Sequence, residues 1–450
     1  MKKRFKATKP ANGLMPRLLM LTFTAGLLIT AGPALAAGGG GSFVPGTCAP
    51  DEVQGSGAIY RICMPSAELY NGDLVVWAHG YVPFNEPLEI PEDNLCGSLN
   101  DTSVCLNDLA NILGFGFITT SYATNGLAIV PGVDDVVDLV RIFSELHGSP
   151  RRVYLVGASE GGIVTALAVE RHPEAFDGGL SLCGPVGDFL LTTSYFGDFR
   201  VVFDYFFPDL MPGSATEIPE SLVSGWDGHW QSVVRPAMVD RANRRRIMQL
   251  LRVTGAPWVR GDYDTVLRTI HDGLWYSVFA TDDAVSKLGG QPFDNVDRQY
   301  RGSSDDDELN LRVQRVAAAP EAIATVDRLY QTTGLLSRPL ITMHTDKDQQ
   351  IPYEHETIYR QKVLDSGSEG LHRNFKIRRY GHCSFDVVEA LLAFAVLYRD
   401  VNRAPVDQLD ELLRDLRPGR RWEPAAPAPA PPSTGAASAP RARVGRRQGG

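Results

Sequence analysis

Ser159 is the residue whose surroundings in the chain best suit chemistry, because it lies among small residues in the stretch 157–161 (GASEG). An apolar run of strand length, 153–156 (VYLV), precedes this stretch, and apolar residues at helical spacing follow it over 163–172. A sharp strand-to-helix turn needs small neighbours, because its serine takes a strained backbone conformation that exposes the hydroxyl group. The pattern therefore predicts that Ser159 is a nucleophile, although a glycine-rich turn around a buried serine would give the same five letters.

A serine hydroxyl group is a poor nucleophile unless a base removes its proton and an acid orients that base. His382 follows Gly381 just past a predicted strand, 375–380 (FKIRRY), and this position makes it the predicted base. The predicted acid is Asp348, in the polar loop after another predicted strand (PLITMH), and Asp346 in the same loop is the alternative. The backbone N–H group of Glu160, at the positive end of the predicted helix, would point toward a developing oxyanion.

Apolar runs of strand length recur along the chain and alternate with segments of helical spacing. The predicted strands are 74–78, 115–120, 153–156, 180–182, 339–344 and 375–380. The predicted helices are 133–147, 163–172 and 385–399, and Ser384 is expected to cap the last of them. Buried strands joined by helices form a mostly parallel sheet with helices on both faces. We therefore predict an α/β fold with a mostly parallel central sheet.

The alternation stops over 186–337, a segment rich in aromatic residues. We expect a large, mainly helical insertion that forms either a cap over the active edge of the sheet or a dimerisation surface. Its aromatic side chains would suit an apolar or aromatic substrate, but packing within the insertion would explain them equally well. The acidic run 305–308 is expected to begin a helix, with Ser304 and Asp307 as a capping box, rather than to form a calcium-binding loop.

The first residues have the layout of a secretory signal peptide, with a basic leader, an apolar run over 18–29 and small residues at 34–36. A retained anchor is the weaker interpretation, because the apolar run is shorter than the ~20 residues that span a bilayer. The Ala/Pro-rich stretch near the other end cannot build a core and predicts a disordered tail. The predicted domains are a signal peptide (1–36), a core in two parts (37–185 and 338–417), the insertion (186–337) and the tail (418–450).

All six cysteines follow the leader, and an even number in an exported chain predicts disulfides. The sequence alone leaves several pairings open. The pairs Cys96–Cys105 and Cys48–Cys63 would each close a short loop. Cys183 and Cys383 would then remain as the third pair. Because no pair has the CxxC spacing typical of zinc sites, we expect no metal ion, and the predicted chemistry needs no organic cofactor.

Acidic residues outnumber basic ones, with 53 Asp and Glu against 44 Lys and Arg, and the leader and the tail hold many of the basic residues. The body of the chain is therefore strongly acidic, and it would repel the phosphates of a nucleic acid. We expect no nucleic-acid partner and no stable membrane insertion after removal of the signal peptide. The sequence leaves the oligomeric state open.

Four blocks of the chain resemble the oxyanion, nucleophile, acid and base blocks of the α/β-hydrolase superfamily: WAHGY, GASEGG, HTDKDQQIP and YGHCSF. The order nucleophile, acid, base along the chain is also the order found in that superfamily. The resemblance covers roughly 74–398 apart from the insertion. It implies that Asp348 is the acid, that Tyr81 and Glu160 donate the two oxyanion N–H groups, and that His79 is a structural hydrogen-bonding residue.

The chain also resembles secreted bacterial serine esterases, a class that includes tannases and feruloyl esterases. Members of that group carry one Cys before the nucleophile and another after the catalytic His, joined as a disulfide. Cys383 matches the second position, but Ala158 occupies the first. Cys183, on a neighbouring predicted strand, is the alternative partner that would hold the same loop.

These patterns predict a secreted (extracellular or periplasmic) serine hydrolase that cleaves a small-molecule or polymeric carboxylic ester through an acyl-enzyme on Ser159. An exported peptidase of the prolyl-peptidase type is one alternative, because it shares the Gly-x-Ser-x-Gly-Gly turn. A non-catalytic binding module with the same fold is another, although such modules commonly lose a member of the triad.

Overall fold

The computed structural model describes residues 46–99 and 102–403. The predicted signal peptide (1–36) and the predicted tail (418–450) lie outside the described residues. Within the described residues, no helix is both long enough and apolar enough to cross a membrane.

A nine-stranded sheet forms the centre of the described chain. The strands, in chain order, are β1 (Thr47–Cys48), β2 (Glu52–Val53), β3 (Ile59–Met64), β4 (Asp73–Ala78), β5 (Cys96–Leu99), β6 (Thr102–Cys105), β7 (Gly116–Thr120), β8 (Arg152–Ala158), β9 (Gly178–Leu182), β10 (Leu340–Lys347) and β11 (His372–Tyr380). Strands β5 and β6 pair as a separate hairpin, and the main sheet has the order β1-β3-β7-β4-β8-β9-β10-β11, with β2 also paired to β3. The six strands from β7 to β11 in that order run parallel, and β1, β2 and β3 pair antiparallel at one edge.

Helices cover both faces of the sheet. In chain order they are α1 (Glu92–Leu95), α2 (Leu106–Ile112), α3 (Ile129–His147), α4 (Glu160–Arg171), α5 (Phe189–Phe206), α6 (Glu220–Ser224), α7 (Trp226–His229), α8 (Arg235–Val239), α9 (Arg244–Thr254), α10 (Tyr263–Phe279), α11 (Thr281–Leu288), α12 (Asp306–Arg312), α13 (Pro320–Leu329), α14 (Glu354–Asp365) and α15 (Val387–Asn402). Helices α3 and α4 pack on one face, and α2 and α15 pack on the other.

Strand β4 shows why the central strands are continuous apolar runs. All six of its residues are buried. Leu74 and Val76 belong to the apolar core shared with α3 and α4, whereas Val75 and Trp77 belong to a second core shared with α15. A strand buried on both faces is therefore apolar along most of its length, here over 74–78, and each buried Val or Leu stabilises the fold by about 1.5–3 kcal/mol. The predicted α/β fold with a mostly parallel sheet is therefore confirmed.

Helices α5 to α13, which we call the helical segment, follow one another between β9 and β10. The aromatic-rich sequence over 186–337 predicts this helical character. The segment buries an apolar core of its own, which includes Phe199, Phe203, Trp226 and Trp230. Packing within the segment therefore accounts for these aromatic side chains.

Helix α12 has a different cap from the predicted one. Its N-cap residue is Asp305, whose carboxylate accepts a hydrogen bond from the Glu308 N–H group at 3.0 Å. The predicted capping box of Ser304 and Asp307 is wrong. A carboxylate at the first turn interacts favourably with the positive end of the helix, so the acidic run does begin a helix as expected.

The start of α15 is also later than predicted. The helix begins at Val387 and not at 385, and Asp386 is its N-cap in place of Ser384. Asp386 accepts a hydrogen bond from the Glu389 N–H group at 2.9 Å, and Glu389 accepts one in return from the Asp386 N–H group, also at 2.9 Å. This reciprocal capping box satisfies two N–H groups that the first turn leaves without helical partners, which a serine cap alone would not do.

All six cysteines form disulfides, and the pairs are Cys48–Cys63, Cys96–Cys105 and Cys183–Cys383. The first links β1 to β3, and the second links β5 to β6. The third joins the end of β9 to the loop after β11, across the intervening strand β10. The Cys183–Cys383 disulfide therefore holds together two loops at the same edge of the sheet.

Candidate active site

The sharp turn between β8 and α4 holds Ser159 at the edge of the sheet. Its backbone has φ 57° and ψ −120°, in the region that most side chains avoid. Close approach of the chain around it requires glycine at two positions. A Cβ atom on Gly157 would lie 2.1 Å from the Gly161 carbonyl oxygen, and one on Gly161 would lie 2.0 Å from the Ala78 carbonyl oxygen. The strained turn predicted from the small residues is therefore present.

His382 lies in the loop after β11 and reaches both predicted partners. Its Nε2 atom accepts the hydrogen bond of the Ser159 hydroxyl group, with 2.8 Å between Nε2 and Oγ. Its Nδ1–H group donates to Oδ2 of Asp348 at 2.7 Å. The Thr345 hydroxyl group donates to the Gly381 carbonyl oxygen at 2.7 Å and ties the His382 loop to β10. The structure thus brings together the three residues that the sequence singles out.

Asp348 supplies the carboxylate that contacts His382, whereas the alternative acid, Asp346, is half-buried within β10. The second oxygen of Asp348 accepts hydrogen bonds from the Gln350 and Ile351 N–H groups, both at 2.9 Å. Burial by itself would raise the pKa of Asp348, but the electrostatic interaction with His382 and the hydrogen bonds from His344 and His382 outweigh it and hold that pKa well below the ordinary value. Asp348 is therefore a fixed anion behind the imidazole ring.

A second histidine contacts the same carboxylate and was not singled out by the sequence. His344 is fully buried; its Nε2 atom lies 3.3 Å from Oδ2 of Asp348, and its Nδ1 atom lies 3.2 Å from Oε1 of Glu356. Glu356 in turn accepts hydrogen bonds from Thr342 at 2.6 Å and from Asn374 at 2.7 Å. Burial alone would lower the pKa of His344, but the two carboxylates raise it to about 10. The imidazolium group of His344 thus neutralises part of the negative charge behind the candidate triad.

We expect His344→Gln to lower the free energy of unfolding by about 3 kcal/mol at pH 7, because it leaves two buried carboxylates without the cation between them. The folded pKa of about 10 lies above the ordinary value of 6.5, so folding takes up a proton between these values. The contribution of His344 is therefore complete below pH 6.5 and is lost as the pH rises through about 10. Urea unfolding of both proteins at pH 6, 8 and 10 measures this effect.

The wild type and His344→Gln should differ most at pH 6 and least at pH 10. The matched control is His147→Gln at the exposed end of α3, where we expect a change within about 0.5 kcal/mol at every pH. A difference between wild type and His344→Gln that does not shrink toward pH 10 would mean that His344 is neutral in the folded protein.

The two residues predicted to donate oxyanion N–H groups flank Ser159. Glu160 is the first residue of α4, so its N–H group lies at the positive end of that helix. The chain before Tyr81 passes close to the nucleophile, because a Cβ atom on Gly80 would lie 3.3 Å from the Ser159 Cβ atom. The Tyr81 hydroxyl group donates to the Phe279 carbonyl oxygen at 2.8 Å and so links this loop to α10.

His79 is buried beside the same loop. Its Nδ1 atom lies 2.6 Å from the Gly80 carbonyl oxygen, and its ring stacks on that of Tyr122 at 4.0 Å between centroids. The Tyr122 hydroxyl group donates to the His79 carbonyl oxygen at 3.0 Å. These contacts fit the structural role that the resemblance implies for His79.

The Cys183–Cys383 disulfide lies directly beside the candidate base. The Sγ atom of Cys383 is 3.5 Å from Nε2 of His382, the nitrogen that also contacts Ser159. Because Cys183 follows β9, the bond connects the His382 loop to the rigid centre of the sheet. The disulfide therefore restrains the position of the imidazole ring.

Two pockets meet at Ser159. The first pocket, of about 120 Å³, is lined by Ser159, Tyr81 and Glu160 on one side and by the helical segment, including Phe196 and Tyr276, on the other. The second pocket, of about 680 Å³, also includes Ser159 and Tyr81 and extends past His382 along the face of the sheet that α15 covers. A substrate bound at Ser159 therefore has space on both sides of its reacting carbonyl group.

The chain is similar to several known proteins, although the similarity is distant. No family model matches the chain. A curated o-phthalyl amidase from Xanthobacter agilis is 21% identical over 342 residues, which cover 62% of this chain and 74% of that protein. Among solved structures, lipase A of Candida antarctica matches with a TM-score of 0.43 and 13% identity, covering 78% of this chain and 74% of its own. The acylaminoacyl peptidase of Pyrococcus horikoshii matches with a TM-score of 0.38 and 10% identity.

The match to the acylaminoacyl peptidase covers 75% of this chain but only 37% of that protein, so the chain spans less than half of its length. The strained serine turn between β8 and α4 is a feature of α/β-hydrolases. This turn and the mostly parallel sheet agree with the resemblance to the α/β-hydrolase superfamily.

Proposed function

We propose that the chain is a serine hydrolase that cleaves carboxylic esters through an acyl-enzyme on Ser159. The observation that carries the proposal is the continuous chain of hydrogen bonds from Ser159 through His382 to Asp348, with distances of 2.8 Å and 2.7 Å. Both distances fall within the range needed for proton transfer and for fixing the imidazole tautomer. The strained backbone at Ser159 supports the same role, because such strain is concentrated at functional sites.

In the proposed mechanism, Nε2 of His382 takes the proton of Ser159 as Oγ attacks the ester carbonyl carbon. The N–H groups of Tyr81 and Glu160 stabilise the oxyanion, and Asp348 stabilises the imidazolium ion that forms. His382 then gives the proton to the leaving alcohol, and water resolves the acyl-enzyme by the same sequence of proton transfers. Each step uses side chains and backbone groups of the chain, without a metal ion or an organic cofactor.

We also propose that the helical segment is a cap over the active edge of the sheet. Phe196 and Tyr276 from the segment share the first pocket with Ser159, which supports this placement. The hydrogen bond from Tyr81 to Phe279 ties the loop before the nucleophile to α10 of the segment. In this role the segment selects the substrate, and its aromatic residues fit an apolar or aromatic ester.

The proposal includes secretion and removal of residues 1–36. Three disulfides support it, because such bonds persist mainly in oxidising compartments outside the cytoplasm. A small-molecule or polymeric ester is the proposed partner, and the acidic balance of the body argues against nucleic acid.

A second candidate function is amide hydrolysis at the same site, because the curated relative that matches is an o-phthalyl amidase. The chemistry would differ only in the leaving group, which would be an amine that receives its proton from His382. The two functions are therefore distinguished by substrates and not by the triad.

The test is to incubate the purified mature protein with a fluorophosphonate, to map the label by mass spectrometry, and to assay p-nitrophenyl acyl esters beside acyl and prolyl p-nitroanilides. We expect a label on Ser159 and turnover of the esters. Preferential cleavage of acyl anilides would favour the amidase, and preferential cleavage of prolyl anilides would favour a peptidase. Absence of both label and turnover would favour the non-catalytic binding module.

A further inference from the structure

The first pocket contains two polar atoms that the proposed mechanism does not use. Among the residues that the structure describes, Oε2 of Glu160 and Nε2 of Gln291 are buried without a hydrogen-bond partner. Both residues line the first pocket beside Ser159. Buried polar side chains almost always have partners, so an unpartnered pair in one small pocket points to a ligand that supplies them.

The other ends of both side chains are fixed by backbone N–H groups. Oε1 of Glu160 accepts a hydrogen bond from the Ala128 N–H group at 2.9 Å, and Oε1 of Gln291 accepts one from the Phe293 N–H group, also at 2.9 Å. The amide group of Gln291 therefore presents its NH₂ end as the free donor. Both free atoms belong to side chains that are held in place before a substrate arrives.

The remaining polar side chains of the pocket wall already have partners. These bonds are Tyr81 to Phe279, Tyr276 to Gln350, Thr192 to His355, Thr193 to Leu190 and Thr281 to Ser277. The rest of the wall is largely apolar and includes Phe189, Phe196 and Phe293. A ligand in this pocket would therefore meet a largely apolar wall, and the two polar atoms without partners lie buried in the side chains of that wall.

Burial determines the charge of Glu160. It raises the pKa of the Glu160 carboxyl group to about 8, and the hydrogen bond from Ala128 and the charge of Lys287 only partly oppose it. The titratable groups that face Glu160 are Lys287 and Asp283 of α11 and the phenols Tyr81, Tyr122, Tyr276 and Tyr330. Lys287 is itself paired with Asp283 at 3.0 Å. At neutral pH the Glu160 carboxyl group is therefore mainly protonated, and its free oxygen is a donor.

The position of the candidate base indicates which half of the substrate enters each pocket. The leaving group must receive its proton from His382, and His382 lines the second pocket. Of the two proposed oxyanion donors, Tyr81 lines both pockets, whereas Glu160 lines the first pocket and not the second. The acyl half of the substrate therefore belongs in the first pocket.

We propose that the first pocket selects acyl groups that carry a carbonyl or ether oxygen within an otherwise apolar chain, and that the carboxyl group of Glu160 and the amide group of Gln291 donate hydrogen bonds to that oxygen. This inference rests on the proposed function, because it names the substrate class of the same site. An acyl group without the oxygen would leave both donors buried and unpartnered, which is the situation in which polar sites discriminate most strongly.

The test compares isosteric esters that differ by one oxygen. The pairs are p-nitrophenyl 3-methoxypropanoate with pentanoate, and p-nitrophenyl 4-methoxybutanoate with hexanoate. We expect the ratio of kcat/KM for the ether ester to that for the alkyl ester to fall at least ~10-fold in Gln291→Leu and in Glu160→Leu relative to the wild type. Glu160→Gln keeps a donor at the same place and should keep the ratio. Comparison with the wild type cancels the intrinsic reactivity of each ester.

Two further measurements make the test specific. In the wild type the ratio should fall as the pH rises from 7 to 9, because Glu160 ionises and loses its donor, whereas in Glu160→Gln it should not depend on pH. Thr281→Val is the matched control. Thr281 lines the same pocket, but its hydroxyl group already donates a hydrogen bond to the Ser277 carbonyl oxygen at 2.7 Å. Its ratio should equal that of the wild type.

Equal ratios in the wild type and in both Leu variants would overturn the inference and leave the proposed function intact. A wild-type preference for aminoalkanoyl esters that grows with pH would also overturn it, because an ionised Glu160 would then be binding a cation. If no ester is hydrolysed and Ser159 takes no label, the proposed function fails and the inference fails with it.

Discussion

Asp348→Asn is expected to lower kcat for an ester substrate about 10⁴-fold, because an amide in place of the carboxylate fixes the wrong tautomer of the base. The Gln350 and Ile351 N–H groups require an acceptor at the Oδ1 position, so the NH₂ group of the new Asn would face His382. Nδ1 of His382 would then accept a hydrogen bond and Nε2 would carry the proton. With that nitrogen protonated, the proton of Ser159 has no acceptor. Steady-state kinetics with a p-nitrophenyl ester measures the loss.

The matched control for this prediction is Asp346→Asn, which makes the same change two residues earlier, near the end of β10. Asp346 is half-buried in β10, and the carboxylate bonded to His382 belongs to Asp348. We expect its kcat to stay within about twofold of the wild type, as for most substitutions away from a site. A larger loss for Asp346→Asn than for Asp348→Asn would transfer the role of orienting acid to Asp346.

The candidate triad could be predicted from the sequence because each member has a strong local signature. Ser159 needs small neighbours on both sides, and His382 and Asp348 each come just after a predicted strand. The carboxyl ends of parallel strands meet at one edge of a sheet, so three such positions converge whatever the intervening chain does. Local spacing was therefore enough to single out Ser159 and His382, whereas the preference for Asp348 over Asp346 came from the resemblance to α/β-hydrolases.

His344 and Glu356 could not be found in this way. His344 lies within a buried strand, and Glu356 lies in the helix that follows the acid loop, so neither has a local pattern that marks a function. Their importance comes from a contact between strand and helix at 3.2 Å and from burial, both of which depend on the tertiary fold. Once His344 is known to be buried in a strand, a partner such as Glu356 is expected, because a buried charged group needs one. The sequence alone does not show that His344 is buried and charged.

Short and polar elements were the other part of the fold that the sequence did not predict. Strands β1 and β2 have two residues each and are exposed, so they lack the apolar pattern that marks a buried strand. The β5–β6 hairpin spans Cys96 to Cys105, where the sequence suggested only a disulfide loop. Pairing with a neighbour, and not the composition of the segment, produces these strands.

Gly161→Ala is expected to lower the free energy of unfolding by about 3 kcal/mol or more and to abolish most ester turnover. A Cβ atom at this position would lie 2.0 Å from the Ala78 carbonyl oxygen and 2.5 Å from the His79 carbonyl oxygen. These neighbours are backbone atoms at the end of β4, so they cannot move aside as a flexible side chain could. Helix α4 would have to shift away from the sheet and would carry Ser159 with it.

The matched control is Gly228→Ala in α7, which adds the same methyl group to another helical glycine. A Cβ atom at Gly228 would meet nothing within 4 Å. We expect this variant to be stabilised by about 0.5–1 kcal/mol, because alanine favours a helix more than glycine does, and to keep wild-type kinetics. Urea unfolding and ester kinetics on the two variants measure both effects. If Gly161→Ala is as stable as the wild type, α4 lies further from β4 in solution than the structure has it. That result would contradict the close packing that holds Ser159 in its strained turn.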